Sequence, residues 1–122
     1  MSDNIKVLIV EDEAITAKCL QMDLEDMGLE VINPVSNGED AIKVAQLEHP
    51  SLILMDIRLA GKMDGIETAE KILSNQKIPI IYLTGFSTGL IKERAQKTKP
   101  VGFVEKPINV NRIVQIINTM GH

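Results

Sequence analysis

The chain has 122 residues, 44% of them hydrophobic and 25% charged, which suits one globular domain with a real core rather than a disordered polypeptide. Aromatics amount to only 2%, so that core must be built from Ile, Val, Leu, Met and Ala. A net charge of -4 argues against nucleic acid as a direct partner, and no apolar run reaches the ~20 residues of a membrane span.

Two periodicities alternate along the sequence. Ile5 to Val10 is a β-branched run of the kind found in strands buried on both faces. From Ala14 to Met27, Ala17, Leu20, Leu24 and Met27 step by three and four, predicting an amphipathic helix that ends at Gly28. Glu30 to Pro34 predicts a short strand, and Asn37-Gly38 opens a helix running through Ala41, Val44 and Ala45 to about Glu48. Leu52 to Met55 is a third strand, followed by a helix marked by Ile66, Ala69, Ile72 and Leu73. Ile78 to Leu83 is the most apolar strand; a more polar helix from about Ser87 to Lys97 and a short strand from Val101 to Val104 come next. Val110, Ile113, Val114 and Ile117 give the apolar stripe of a last helix.

Five strand-then-helix units predict an α/β fold: a doubly wound five-stranded parallel sheet of flavodoxin-like order 2-1-3-4-5, forming one domain over residues 1–122. Cys19 cannot form an intrachain disulfide and is expected on a helix flank as a small buried or half-buried residue. With His49 and His122 far apart, no softer-metal ligand set stands out. The polar start Met1-Ser2-Asp3-Asn4 is unlike a signal peptide, so a cytoplasmic location is expected.

In such sheets ligands bind at the carboxyl ends of the strands, near the switch between strands 1 and 3. The sequence puts Glu11, Asp12 and Glu13 after the first strand, Asp56 after the third, Thr84 after the fourth, and Lys106-Pro107 after the fifth. Carboxylates brought to about 5 Å there repel by roughly 3 kcal/mol at an effective dielectric of 20, more than Lys106 alone offsets. An oxygen-only ligand set suits Mg²⁺. Beside such an ion Asp56 has the makings of a nucleophile toward phosphorus, with Lys106 and the Thr84 hydroxyl placed to stabilise the transferring group. Taken singly, each residue has a plainer account: Asp12 as cap of the first helix, Glu11 as a loop charge, Asp56 as a turn residue, Lys106 as a surface lysine. Their arrival at four matching strand ends favours a phosphoryl acceptor.

The segments VLIVEDE, LILMDIRL, MDGIE, PIIYLTG and GFVEKPI, in this order and spacing, resemble response-regulator receiver domains of two-component signalling over essentially the whole chain. The resemblance implies that Asp56 is the phosphoacceptor. It implies a Mg²⁺ (or Mn²⁺) site made by Asp12 directly, Glu11 through water, Asp56 and the Arg58 backbone carbonyl. Thr84 then resembles the switch hydroxyl, Phe103 the switch aromatic, and Lys106 the phosphate-pairing lysine, with Lys106-Pro107 the peptide that is cis in the family. Implied partners are a sensor histidine kinase or phosphotransfer protein, and a downstream protein or fused output domain reading the surface of helix 4, strand 5 and helix 5. A phosphorylation-dependent homodimer is a further expectation. The chain ends soon after its last helix, as either a stand-alone receiver or a piece of a larger protein.

Three departures stand out. Phe103 lacks the hydroxyl of the more common Tyr; the stretch Ile57 to Lys62 is one residue longer than the usual pattern; and Gly85 stands where Ala is common. Such features resemble receivers associated with multi-sensor histidine kinases. Two alternatives are weighed: a receiver lookalike that only mediates protein contacts, and a Mg²⁺-dependent aspartyl-phosphate phosphatase, which wants an acid where Arg58 stands. A flavin or nucleotide binder of flavodoxin type is disfavoured, since Glu11-Asp12-Glu13 replaces the phosphate-binding loop it would need.

Overall fold

A computed structural model describes residues 5–85 and 89–120. Five strands alternate with five helices: β1 (Lys6–Val10), α1 (Ala14–Asp26), β2 (Glu30–Val31), α2 (Gly38–Glu48), β3 (Leu52–Asp56), α3 (Gly65–Leu73), β4 (Ile80–Thr84), α4 (Gly89–Gln96), β5 (Gly102–Glu105) and α5 (Val110–Thr119). The strands form one parallel sheet in the expected order β2-β1-β3-β4-β5. Among the described residues, no helix is long and apolar enough to cross a membrane.

Successive strand residues point to opposite faces, and the two faces build separate aliphatic layers. Leu8, Val10, Ile53, Met55, Ile80 and Tyr82 pack under α2, α3 and α4, joined by Ala41, Ala45, Ile66, Ala69, Ile72 and Ala95. On the other face, Val7, Ile9, Leu52, Leu54, Ile81, Leu83 and Val104 pack under α1 and α5.

Several boundaries differ from the sequence expectation. β2 pairs with β1 over two residues only, and Val35 makes an isolated bridge to Val10. Its edge position leaves it one neighbour, so the apolar run to Pro34 need not stay in the ladder. β4 and β5 end one residue later than expected, at Thr84 and Glu105. Met27 is exposed, lying past the end of α1, and Cys19 is exposed rather than buried. In α5 the buried set is Ile113, Ile116 and Ile117, so Ile116 takes the core place expected of Val114. The expected start of the fourth helix at Ser87 lies outside the described residues, as does His122. His49 is the left-handed C-cap of α2 and contacts Gln76 through its ring, remote from any ligand cluster.

One glycine matters to the geometry of the strand ends. Gly65 starts α3, donates its N–H to the Ile57 carbonyl, and lies so close to Asp56 that a Cβ would collide with the Asp56 carbonyl oxygen. Just before it, Asp64 caps α3 reciprocally with Glu67: the Asp64 carboxylate accepts from Glu67 N–H at 2.8 Å, and Glu67 accepts from Asp64 N–H at 3.0 Å. Gly65→Ala should therefore cost about 3 kcal/mol in urea unfolding, because backbone must move. Gly89→Ala, with nothing within 4 Å of its Cβ, should be neutral or slightly stabilising in the same assay.

Candidate functional site

Strand register decides which side chains meet. Val10 pairs with Met55, so Glu11 and Asp56 follow as the next residues of adjacent parallel strands. Asp56 pairs with Leu83, putting Thr84 one step beyond, and Thr84 pairs with Glu105, immediately before Lys106. Residues separated by as many as 95 positions thereby reach one edge of the sheet.

The resulting cavity, about 430 Å³, is lined by Asp12, Glu13, Asp56, Ile57, Arg58, Thr84, Gly85 and Lys106. Glu11, Asp56 and Thr84 are buried, at 2%, 3% and 4% exposure. The Lys106 ammonium donates to Glu11 Oε1 at 3.0 Å and to Asp56 Oδ2 at 2.9 Å. The remaining oxygens of both carboxylates accept from backbone: Glu11 Oε2 from Glu13 N–H and Asp56 Oδ1 from Arg58 N–H, both at 3.0 Å. Every contact holds a carboxylate in a fixed direction.

Charge in this pocket is not balanced by Lys106 alone. Burial pushes the Glu11 carboxyl up from 4.5 to about 7, opposed by the bonds from Glu13 N–H and Lys106 and reinforced by Asp56 beside it. For Lys106, burial works against the ammonium, but its bonds to Asp56 and Glu11 outweigh that and hold its pKa above the ordinary value. Such a cluster favours a proton or a second cation. Glu11, Asp12 and Asp56 each offer a carboxylate oxygen within 4.8 Å of the others, an all-oxygen set that fits a hard divalent cation.

Asp12 does not cap α1. The N-cap is Glu13, without a side-chain cap bond, and Asp12 Oδ2 instead accepts from Ala60 N–H at 3.1 Å. That contact was not foreseen from sequence; the extra residue between Ile57 and Lys62 signalled an unusual loop but not its target. Gly61, at φ 104°, supplies the left-handed turn beside Ala60. Gly85 is no steric requirement, since a Cβ there would meet Lys106 Cδ at an ordinary 3.8 Å.

Phe103 lies outside the acidic cavity. With Thr84, Lys92, Val104, Glu105, Asn109 and Arg112 it lines an adjoining groove of about 500 Å³, and Thr84 belongs to both walls. The Phe103 ring stacks on Tyr82, with centroids 5.8 Å apart, and Lys92 Nζ stands 5.7 Å from its centroid. The peptide Lys106-Pro107 is cis.

Comparison with known proteins adds a family to this geometry. Residues 7–118 match the family described as the response regulator receiver domain. A curated relative, the transcriptional regulatory protein PdtaR of Mycobacterium tuberculosis, is 33% identical over 112 residues, covering 92% of this chain and 54% of that protein. The chain thus spans about half the length of that relative. Among solved structures, the signal receiver domain of a modulated diguanylate cyclase from Desulfovibrio desulfuricans is 34% identical with a TM-score of 0.90, covering 96% of this chain and 93% of that one. The N-terminal domain of a response regulator/sensory box/GGDEF protein from Carboxydothermus hydrogenoformans is 31% identical with a TM-score of 0.83, covering 93% and 91%.

The raised Glu11 pKa has a measurable sign. The folded chain holds a proton there between about 4.5 and 7 that the unfolded chain has lost, so this group's contribution falls as pH rises through that window and is level above it. The Lys106 contribution is fully present below 10.5 and does not change there. In chelator, melting and urea unfolding should show the wild type more stable near pH 5 than at pH 8, by on the order of 2 kcal/mol from this group. Glu11→Gln should flatten the slope.

Proposed function

The chain belongs to the response regulator receiver domain family, and from that premise we propose that Asp56 accepts a phosphoryl group from the phosphohistidine of a sensor histidine kinase or phosphotransfer protein. The single observation that carries this is the buried Asp56 carboxylate at the mouth of β3, 2.9 Å from the Lys106 ammonium and clustered with Glu11 and Asp12. On this account residues 1–122 form one receiver domain, a phosphoacceptor rather than an enzyme with turnover.

The steps follow from the chain's own groups. Arg58 N–H and Lys106 fix the orientation of Asp56, so an oxygen of its carboxylate is presented to the cavity without a search. That oxygen bonds to phosphorus as the phosphorus–nitrogen bond breaks and the histidine nitrogen leaves with the electron pair. Lys106 then pairs with a phosphoryl oxygen, and the Thr84 hydroxyl, on the same cavity wall, donates to another. Asp12, Asp56, Glu11 and the Arg58 carbonyl would hold a Mg²⁺ or Mn²⁺ ion, which would supply positive charge to offset the negative charge that gathers there. Slow loss of the phosphoryl group to water is expected, because Arg58 offers no carboxylate to activate that water.

The phosphoryl group, carrying about -1.5 to -2 where the Asp56 carboxylate carried -1, draws Thr84 toward it and frees space that Phe103 can enter. The α4–β5–α5 face changes and is read by a downstream protein or fused output domain, or by a second copy of the chain. The proposed setting is the cytoplasm.

Incubation with phosphoramidate and Mg²⁺ should add one phosphoryl group to the intact mass, and none in Asp56→Asn. An unlabelled wild type would leave the non-phosphorylated interaction module as the better account, and repeated turnover of a small phosphomonoester the phosphatase. Mg²⁺ alone should raise the melting temperature of the wild type, and Asp12→Asn should abolish most of that rise.

A further inference from the structure

The hydroxyl absent from Phe103 is present on its neighbour. Tyr82 and Phe103 are register partners on β4 and β5, and Tyr82 is fully buried. Strand alternation puts Tyr82 on the same face as Thr84, beneath α4. One aromatic surface thus runs from the residue shared with the acidic cavity to the underside of α4.

A phenol buried in an aliphatic layer needs a hydrogen-bond partner. Tyr82 finds it in Thr98 Oγ1, at 2.7 Å. The direction of the bond follows from the next link: Thr98 Oγ1 lies 2.6 Å from the Ala95 carbonyl, which only accepts, so the threonine proton is used there. Tyr82 is therefore the donor, and burial, by raising its pKa, keeps it protonated.

Thr98 sits where α4 closes. Lys97 N–H reaches Glu93 and Arg94 carbonyls, Thr98 N–H reaches Ala95, Lys99 N–H reaches Gln96, and Lys99 turns left-handed at φ 55°. Within α4 only Ala95 is buried among the described residues, with Ile91 partly buried against the same layer, so polar side-chain ties add to a small apolar attachment. One is the exposed pair Arg94–Asp64 at 3.3 Å. Another is the Tyr82–Thr98 bond, which is part-buried and so less weakened by solvent than the Arg94–Asp64 pair.

We propose that Tyr82 is a positioning residue that transmits displacement of Phe103 to the C-terminal end of α4, through ring stacking on one side and its bond to Thr98 on the other. The proposal rests on the phosphoacceptor account of Thr84 and Phe103 given above. A phenylalanine at position 103 moves its neighbours by packing alone; the ring it packs against bears the polar handle. Inward movement of Phe103 must shift, tilt or unstack Tyr82, and the phenol cannot move without altering the Thr98 bond and the turn that closes the helix.

The chain provides its own probe, since Tyr82 is the only tyrosine and there is no tryptophan. Phosphorylation with phosphoramidate and Mg²⁺, its stoichiometry read by intact mass, should change Tyr82 fluorescence. It should also change amide hydrogen exchange at Lys97 to Lys99. Tyr82→Phe keeps the ring and removes the bond, and Thr98→Val removes it from the other end. Each should raise exchange at Lys97 to Lys99 roughly fivefold in the unphosphorylated chain, the factor expected for one neutral hydrogen bond, and each should erase the phosphorylation-dependent difference there while labelling of Asp56 stays complete. A merely structural bond would raise exchange in both states and leave the difference intact, which would overturn the proposal. Silent Tyr82 emission in a fully labelled wild type would overturn it too. An unlabelled wild type would instead remove the phosphoacceptor account itself, and this inference with it.

Discussion

Two buried carboxylates, Glu11 and Asp56, share one ammonium, and the rest of the structure is arranged around that contact. Lys106 bonds to both at 3.0 and 2.9 Å, yet a single positive charge leaves the pair, with Asp12 at its rim, net negative. Burial first, and the neighbouring Asp56 second, push the Glu11 carboxyl above its ordinary value, so the charged form of this group is disfavoured in the resting chain. A fold keeps such a group where function uses it. The same imbalance suits the pocket to a hard cation, while the bonds from Arg58 N–H and Lys106 hold the Asp56 carboxylate in one orientation.

The surrounding elements hold the carboxylates in place despite their repulsion. β1 and β3 are packed on both faces, so neither strand can retreat from the other. The start of α3 is pressed against the Asp56 backbone at Gly65, and its reciprocal cap at Asp64 and Glu67 fixes the entry of that helix. The longer β3–α3 loop turns back at Gly61 and gives Asp12 the Ala60 N–H. Each of these contacts uses a backbone group close to the strand ends, which fixes the chain around the cavity.

On the far side of Thr84 the character changes. The groove beside the acidic cavity is lined by Phe103 with Lys92 and Arg112 as well as Glu105 and Asn109, and α4 above it is lightly packed. A rigid acceptor and a weakly held helix share one threonine as their boundary. Next to that threonine along the sheet lies the Tyr82–Phe103 stack, of which the Tyr82 ring is fully buried. The strand-end site is held by buried groups on every strand that reaches it, whereas the helix has few buried contacts to hold it.

Local pattern was enough to fix much of this protein. Apolar runs of four to six residues alternating with three-and-four spacing could be satisfied only by a parallel sheet covered on both faces, and strand-end carboxylates could then meet only at one edge. Glu11, Asp12, Asp56, Thr84 and Lys106 were legible for that reason: their positions follow from counting along strands. Contacts between elements were not legible, because no periodicity encodes them. The shift of core duty from Val114 to Ile116, the exposure of Cys19, the bond from Ala60 to Asp12 and the partnership of Tyr82 with Thr98 all depend on how helices and loops lie across the sheet. Sequence determined which groups reach the edge; tertiary packing decided which oxygen faces which proton, since that is a matter of fractions of an ångström between segments remote along the chain.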